Sequence, residues 1–442
     1  MTVRTPSRAA ALLLTLTLAF AAGCGDDDEP DQPAADAGTQ TSTIAGDLEV
    51  VGVWTGAEQK SFQAVLDGFK KTHPNVNVKY RSAGDNVPTV VGTAVEGGRP
   101  PDFATIAQPG LIEEFVQKGA AKPLDFARDA VTENYAEDFV KQGTFDGKLH
   151  SVVFKAANKS TVWFNVKAFE DAGVEPPSTF DELLQAAKTL KASGIPAYSI
   201  AGADGWTLTD LFENIYLRQA GPEKYDQLAK HEIKWTDPSV KAALQTMAKI
   251  LGDKGNIAGG TAGALQTEFP VAVANVLTTS PKAAMIIEGD FVPGVVADKT
   301  KIEPKTGYDV FAFPSVGGEG ANAVVGGGDS LVMFKDTPAS RALFEYLVSK
   351  EAHEIWARRG GFSSPNKNVD PSVYPDDITR ATASAIGEAE TFRFDMSDLA
   401  PAAFGGTPGQ GEWKILQDFL QKPGNVDVTA RKLEASAAKA FK

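Results

Sequence analysis

The sequence predicts an α/β protein made of one mixed lobe and a second, more helical lobe. Three observations carry this. The chain has 442 residues, which at about 100–200 residues per domain corresponds to two or three domains. Strand and helix patterns alternate from Leu48 to Gln117, as in a parallel sheet with covering helices. From Asn165 to Val276 helical patterns take over.

Taken in order, Leu48 to Trp54 reads as a first strand. Ala57 to Lys71 follows with Phe62, Val65, Leu66 and Phe69 at i, i+3, i+4 and i+7, an amphipathic helix. His73-Pro74 stops it, and Val76 to Tyr80 alternates as a strand. Val87 to Glu96 predicts a helix, Asp102 to Ile106 a strand and Leu111 to Gln117 a helix. The middle predicts helices over Asp181–Lys191, Leu208–Gln219, Val240–Leu251 and Ala264–Val276. Strand signals return at Ala284–Ile287, Val310–Phe313 and Ser330–Phe334, followed by a helix carrying Leu343, Phe344, Leu347 and Val348. The tail from Trp413 to Lys442 reads as helical.

Composition narrows the function classes. Hydrophobic residues make up 43% and charged residues 23%, which argues against a bulk membrane protein and against a disordered chain. The net charge of −14 disfavours nucleic-acid backbones and anionic lipid. One cysteine and four histidines rule out an internal disulfide and disfavour zinc sites built on Cys or His pairs. No phosphate-binding G-x-x-x-x-G-K-[ST] loop, G-x-S-x-G elbow or H-E-x-x-H pair occurs. Gly318 to Ala323 matches the dinucleotide spacing formally, but no helical pattern opens behind it, so it reads as a surface turn. His73, His150, His231 and His353 lie far apart in polar sequence and are expected in solvated or capping roles. No catalytic residue, cofactor or metal is implied.

The N-terminus reads as an export signal. Arg4 and Arg8 precede an apolar run from Ala9 to Ala22, 14 residues, too short to cross about 30 Å of hydrocarbon as a helix. Ala21-Ala22-Gly23 leads into Cys24. This resembles the lipobox of bacterial lipoproteins, with Ala21 in place of the usual leucine. The resemblance implies removal of residues 1–23 and lipidation of Cys24; plain secretion with a stray cysteine is the alternative. Residues 25–46 hold six acids and no base, so 24–46 is expected to be an extended acidic tether.

What the chain offers in place of enzyme motifs is aromatic and polar residues at element ends. Trp54 closes the first strand. Gln108 lies past the third. Trp206 follows Ala203-Asp204-Gly205, with Asp210 one turn later. Asp290 and Phe291 follow the Ala283–Ile287 strand, and Gly326-Gly327-Gly328-Asp329 precedes another. In α/β sheets ligands bind beyond the carboxyl ends of strands. Carboxylates and amides suit hydroxyls, and flat rings suit the C–H face of a sugar. These loops therefore suit a neutral, polyhydroxylated ligand.

Several segments in one order resemble extracellular solute-binding proteins of family 1, the carbohydrate receptors of ABC importers. They are Val50 to Glu58; Gly97-Gly98-Arg99-Pro100-Pro101-Asp102; Ser160 to Asn165 with Phe169 to Leu183; Ala283 to Phe291; and Glu351 to Ala357 with Gly361 to Asn366. Phe164, Phe180 and Phe291 stand where the family usually has Tyr, Trp and Trp. Asp204-Gly205-Trp206 and Arg393 to Asp398 look most like the α-glucoside-type receptors.

The resemblance implies a two-lobe periplasmic-binding-protein-like fold of type II, with the ligand cleft between lobes joined by hinge crossovers. Mapped onto this chain, lobe one takes 47–157 and 324–365, and lobe two takes 158–323 and 366–442. The family's cleft loops fall on Glu58, Gln108, Asn158, Trp206, Asp290, Phe291 and Asp329, with Asp395, Asp398 and Trp413 as further candidates. Lys155 and Lys159 flank the first crossover and are expected on a solvated hinge face; pointing inward, they would admit a carboxylate on the ligand. The implied function is delivery of a sugar or small oligosaccharide to an ABC permease. The implied protein is a monomer, lipid-anchored on the extracytoplasmic face of the membrane, with no nucleic-acid partner. A same-fold receptor for a polyamine, phosphonate or chelate, and a secreted carbohydrate-active enzyme, are the rival readings.

Overall fold

The computed structural model describes residues 43–442 except Glu319 and Ala321. The expected signal over 1–23, the lipidation site Cys24 and most of the expected tether lie outside the described residues.

Two sheets organise the described chain. The first starts from three parallel strands, Gly46–Gly52, Val76–Ser82 and Phe103–Ile106, with Gly46–Gly52 in the middle. Val50 and Val51 point to opposite faces and are both fully buried, because elements cover both sides of a parallel sheet. The helix Gly56–Thr72 makes the first crossover. It buries Phe62, Val65, Leu66 and Phe69, the stripe read from the spacing, and each such side chain contributes about 1.5–3 kcal/mol. The long strand Val324–Met333 returns antiparallel beside Phe103–Ile106 and also pairs with Ser151–Asn158, while Phe392–Phe394 runs parallel to its first three residues.

The second sheet is antiparallel, with Thr161–Asn165 between Met285–Ile287 and Tyr308–Ala312. Helices Phe180–Ala192, Gly205–Ala220 and Pro238–Leu251 belong to its side of the molecule. Thr179 and Glu182 form a reciprocal capping box that fixes where the first of these begins. One core gathers Trp54, Phe62, Phe103, Phe154, Leu331 and Trp356. Another gathers Phe164, Phe212, Trp235, Phe404 and Leu420. Each sheet thus has its own core, which makes a two-lobed α/β molecule. Only Lys159 and Ser160 separate the strand of one sheet from the strand of the other.

Several expectations need correction. The helix expected over Ala264–Val276 is two, Gly260–Ala264 and Phe269–Val276. Pro270 lacks an N–H and fits only a helix's first turn, so a new helix begins there. Pro423-Gly424 likewise divides the tail into Gly411–Gln421 and Val426–Ala440. The three glycines expected before a strand lie inside it. His353 is not solvated: it is fully buried, 2.8 Å from both the Tyr135 hydroxyl and the Ser364 hydroxyl, and His150 is buried as well. Trp54 is not a presented ring either. It sits in the first core with centroids 4.7 Å from Phe62 and 4.8 Å from Trp356.

Candidate functional site

A cleft of about 570 Å³ opens where loops of the two sheets meet. From the first sheet's side, Glu58 comes from the first turn of Gly56–Thr72 and Asp85 from the turn after Val76–Ser82. Gln108 stands at the N-terminus of the helix Pro109–Gln117, and Lys155 and Asp329 lie on paired strands. A register shift between Asp329 and Ser330 interrupts the ladder there, as bulges beside sites do. From the other side come Asp204 and Trp206 at the start of Gly205–Ala220, Glu268 and Phe269, Phe291, Asp398, Trp413 and Gln417. Lys159, on the crossover, also lines it.

Both lysines point inward and are neutralised by the protein itself. Lys155 Nζ lies 2.9 Å from Glu58 and 3.9 Å from Asp329. Burial alone would lower its pKa, but the facing carboxylates of Glu58 and Asp329 outweigh it and hold the ammonium above its ordinary range. The Trp54 indole N–H donates to Asp329 at 2.6 Å. Lys159 Nζ lies 3.0 Å from Asp210, 2.5 Å from Asp395 and 3.6 Å from Asp398. Burial opposes ionisation of Asp395, yet Lys159 and its other hydrogen-bond partners overcome this and hold it well below the usual carboxylate range. Asp398 is pushed up to about 8 by burial and by repulsion from Asp395. The lysines were expected on a solvated face. Burial and these ion pairs place them inside, each paired with carboxylates of the protein.

Trp206, Phe269 and Phe291 form an aromatic wall, with centroids 5.3–5.9 Å apart. Lys155 Nζ sits 4.8 Å from the Phe291 centroid and Lys159 Nζ 5.9 Å from that of Trp206, so cation–π contacts tie the wall to the charged floor. Trp206 and Phe291 are half-buried. Each keeps surface for a ligand.

Of the residues singled out from the sequence, Glu58, Gln108, Trp206, Phe291, Asp329, Asp398 and Trp413 line the cleft together. Asn158, Asp290 and Asp395 do not line it. Asn158 accepts the Ser160 N–H with its side chain, and its carbonyl accepts the Asp290 N–H at 3.0 Å. Asp290 accepts the Ser363 hydroxyl at 2.5 Å, and burial pushes it up to about 6. Asp395 accepts the Ser397 hydroxyl and the Asp398 N–H, which fixes the turn carrying Asp398. These three hold the walls from behind. Asp85, Glu268, Phe269 and Gln417 are among the lining residues the sequence reading missed. Asp85 follows a strand's carboxyl end, so the rule that found Gln108 could have found it. Among the described residues no group of three His, Cys, Asp or Glu is placed to hold a metal ion, and no helix is long and apolar enough to cross a membrane.

Residues 54–354 match the model of the family described as bacterial extracellular solute-binding protein. The osmoprotective compounds-binding protein GgtB of Synechocystis is 33% identical over 380 residues, 84% of this chain and 88% of the relative. The alpha-glucosides-binding periplasmic protein AglE of Rhizobium meliloti is 32% identical over 397 residues, 87% and 85%. In fold, the chain is similar to a chitin oligosaccharide binding protein (TM-score 0.78, 21% identity, 90% of this chain and 99% of that one). It is similar also to the binding protein RafE in complex with raffinose (TM-score 0.74, 19% identity, 90% and 100%). The family is one of receptors and not of enzymes, and the chain belongs to it: this is a bacterial extracellular solute-binding protein.

Proposed function

We propose that the protein binds a sugar or small oligosaccharide outside the cytoplasm, with α-glucosides as the matching class, and hands it to an ABC permease. The observation that carries the reading is the cleft itself: carboxylates and an amide for hydroxyls, an aromatic wall for C–H faces, and two lysines already neutralised. The α-glucoside assignment draws support from AglE, whose name states that specificity, and from its similarity over most of both chains. The lobes divide as 47–157 with 324–365 and 158–323 with 366–442, and the molecule acts as a monomer tethered through lipidated Cys24. A thermal-shift panel of maltose, trehalose, sucrose, raffinose, spermidine and a uronic acid disaccharide tests this. A sugar at 100 times its dissociation constant adds about 2.7 kcal/mol of stability. Stabilisation by neutral glycosides supports the reading. A response to spermidine alone replaces it with a polyamine receptor, which the excess of cleft carboxylates over lysines favours as second choice.

A further inference from the structure

We propose that Lys155 is a specificity-determining residue: its ammonium fills, from inside the protein, a cage of two carboxylates and an aromatic ring that would otherwise take the ammonium of a ligand, and so reserves this part of the cleft for uncharged, hydroxylated ligands. The proposal rests on the sugar-receptor reading above and deepens it. Lys155 belongs to the strand Ser151–Asn158, buried along its whole length, and stands opposite Asp329 in the paired strand. Its Nζ lies 2.9 Å from Glu58 and 3.9 Å from Asp329, and the Phe291 ring centroid is 4.8 Å away. All four residues line the cleft.

Carboxylates beside a ring face suit an ammonium group: the acids supply charge-assisted hydrogen bonds and the ring a cation–π contact. Here the protein supplies the cation as well. The Lys155 side chain is 4% exposed, whereas Glu58 keeps 24% of its side chain exposed and Asp329 13%. The lysine therefore fills the cage from the strand side and leaves carboxylate surface open at the cleft. The Trp54 indole N–H donates to Asp329 at 2.6 Å and ties that acid in place. An amine that enters meets the lysine's own positive charge. Taking its place would strand a buried ammonium without partners, which is strongly unfavourable. A hydroxyl needs no vacancy, because it donates to Glu58 or Asp329 with the lysine in position. Selectivity of this kind comes from rejecting the wrong ligand as much as from holding the right one. The arrangement occurs a second time along the same wall. Lys159 lies among Asp210, Asp395 and Asp398, with the Trp206 centroid 5.9 Å from its Nζ. Removal of a purely structural ion pair lowers stability alone; emptying a filled cage also creates affinity for amines.

Melting and titration calorimetry of the full chain test this with propylammonium, the piece of side chain that Lys155→Ala removes, and with spermidine. Lys155→Ala is expected to gain several degrees in melting temperature from millimolar propylammonium, while the parent gains none. Lys155→Met keeps the bulk of the stem and loses the charge, and it decides alone should Lys155→Ala not fold. It is expected to bind spermidine at least about tenfold more tightly than the parent does. Adding Glu58→Gln to either variant removes the gain, which separates the cage from general attraction of a cation to an acidic chain. The proposal is overturned if the parent binds spermidine as tightly as Lys155→Met, if the folded variants gain nothing, or if the gain survives Glu58→Gln. Trehalose, sucrose and maltose are titrated alongside. If none of them binds the parent, the α-glucoside reading fails separately, and the amine titrations still decide on Lys155.

Discussion

Trp206 and Phe291 are half-buried rings on the wall of a polar cleft, each with a buried lysine nearby. Stacking on such a ring is worth about 0.5–1.5 kcal/mol beyond area burial, and truncation also wets its polar neighbours. Trp206→Ala and Phe291→Ala are each expected to weaken sugar binding by roughly 1.5–3 kcal/mol, about 10- to 200-fold, with little change in denaturation midpoint. Titration calorimetry beside urea unfolding separates the two effects; normal affinity with a large stability loss would make the rings core. His353 contributes in the opposite way, through stability alone. Burial holds its pKa down at about 3, so between that value and about 6.5 the unfolded chain binds a proton that the folded chain excludes. Stability from this residue is therefore lost as pH falls. His353→Gln removes the effect, and the stability difference between parent and variant should shift by about 2 kcal/mol between pH 7 and pH 5. The burial of His353 was not legible in the sequence. The His353 neighbourhood is polar along the chain, and its partner Tyr135 lies 218 residues away. The rings were legible because each follows a glycine at an element end, a local feature. Asp290 carried the same local signal, and Asn158 and Asp395 came from the family resemblance, yet the side chains of all three turn away from the cleft to partners no spacing could reveal.

At the scale of elements, amphipathic spacing located the helices well, because a buried stripe at period 3.6 survives any tertiary detail. Helix breaks at Pro270 and Pro423 were missed where an apolar pattern ran on through them, although proline geometry foretells them. The strand Val324–Met333 shows what pattern reading cannot reach. Glycine weakens strands, so Gly326-Gly327-Gly328 reads as a loop. Packing decides otherwise. A Cβ on Gly326 would lie 2.1 Å from the Phe392 ring, one on Gly327 2.9 Å from Lys159 Cε, and one on Gly328 2.6 Å from Val153 Cγ1. Gly327 lets the Lys159 stem cross the strand on its way to its three carboxylates. Gly326→Ala is therefore expected to destabilise the fold by about 1–3 kcal/mol, the usual cost of overpacking, read from the urea midpoint. A change below 0.5 kcal/mol would mean that Phe392 swings aside freely.

At the scale of the whole molecule, two features bear on delivery. The first is the proposed attachment: if Cys24 carries a lipid anchor, Cys24→Ala should move the protein from the membrane fraction to the soluble extracytoplasmic fraction while sugar affinity stays unchanged. A variant that remains membrane-bound would refute the lipid anchor. The second is closure. The cleft is lined from both sheets, and the short connection Lys159-Ser160 is one of those that join the two cores. Contacts across the divide include a buried one, the Ser363 hydroxyl donating to Asp290 at 2.5 Å. Lys60 and Asp298 pair at 2.5 Å, but Lys60 is 64% exposed, and such surface pairs are worth at most about 1 kcal/mol. The Ala402 N–H donates to Glu114 at 3.3 Å, one further polar contact. A ligand that binds the closed form more tightly than the open one shifts the population toward it by that differential affinity. Small-angle scattering with and without the sugar that gives the largest melting shift should therefore show a fall in radius of gyration at saturation. Trp206→Ala should need proportionally more sugar to reach the same curve, since it weakens binding without touching the hinge. An unchanged scattering profile at full occupancy would mean that the walls are already in their final positions and that recognition proceeds without movement of the lobes.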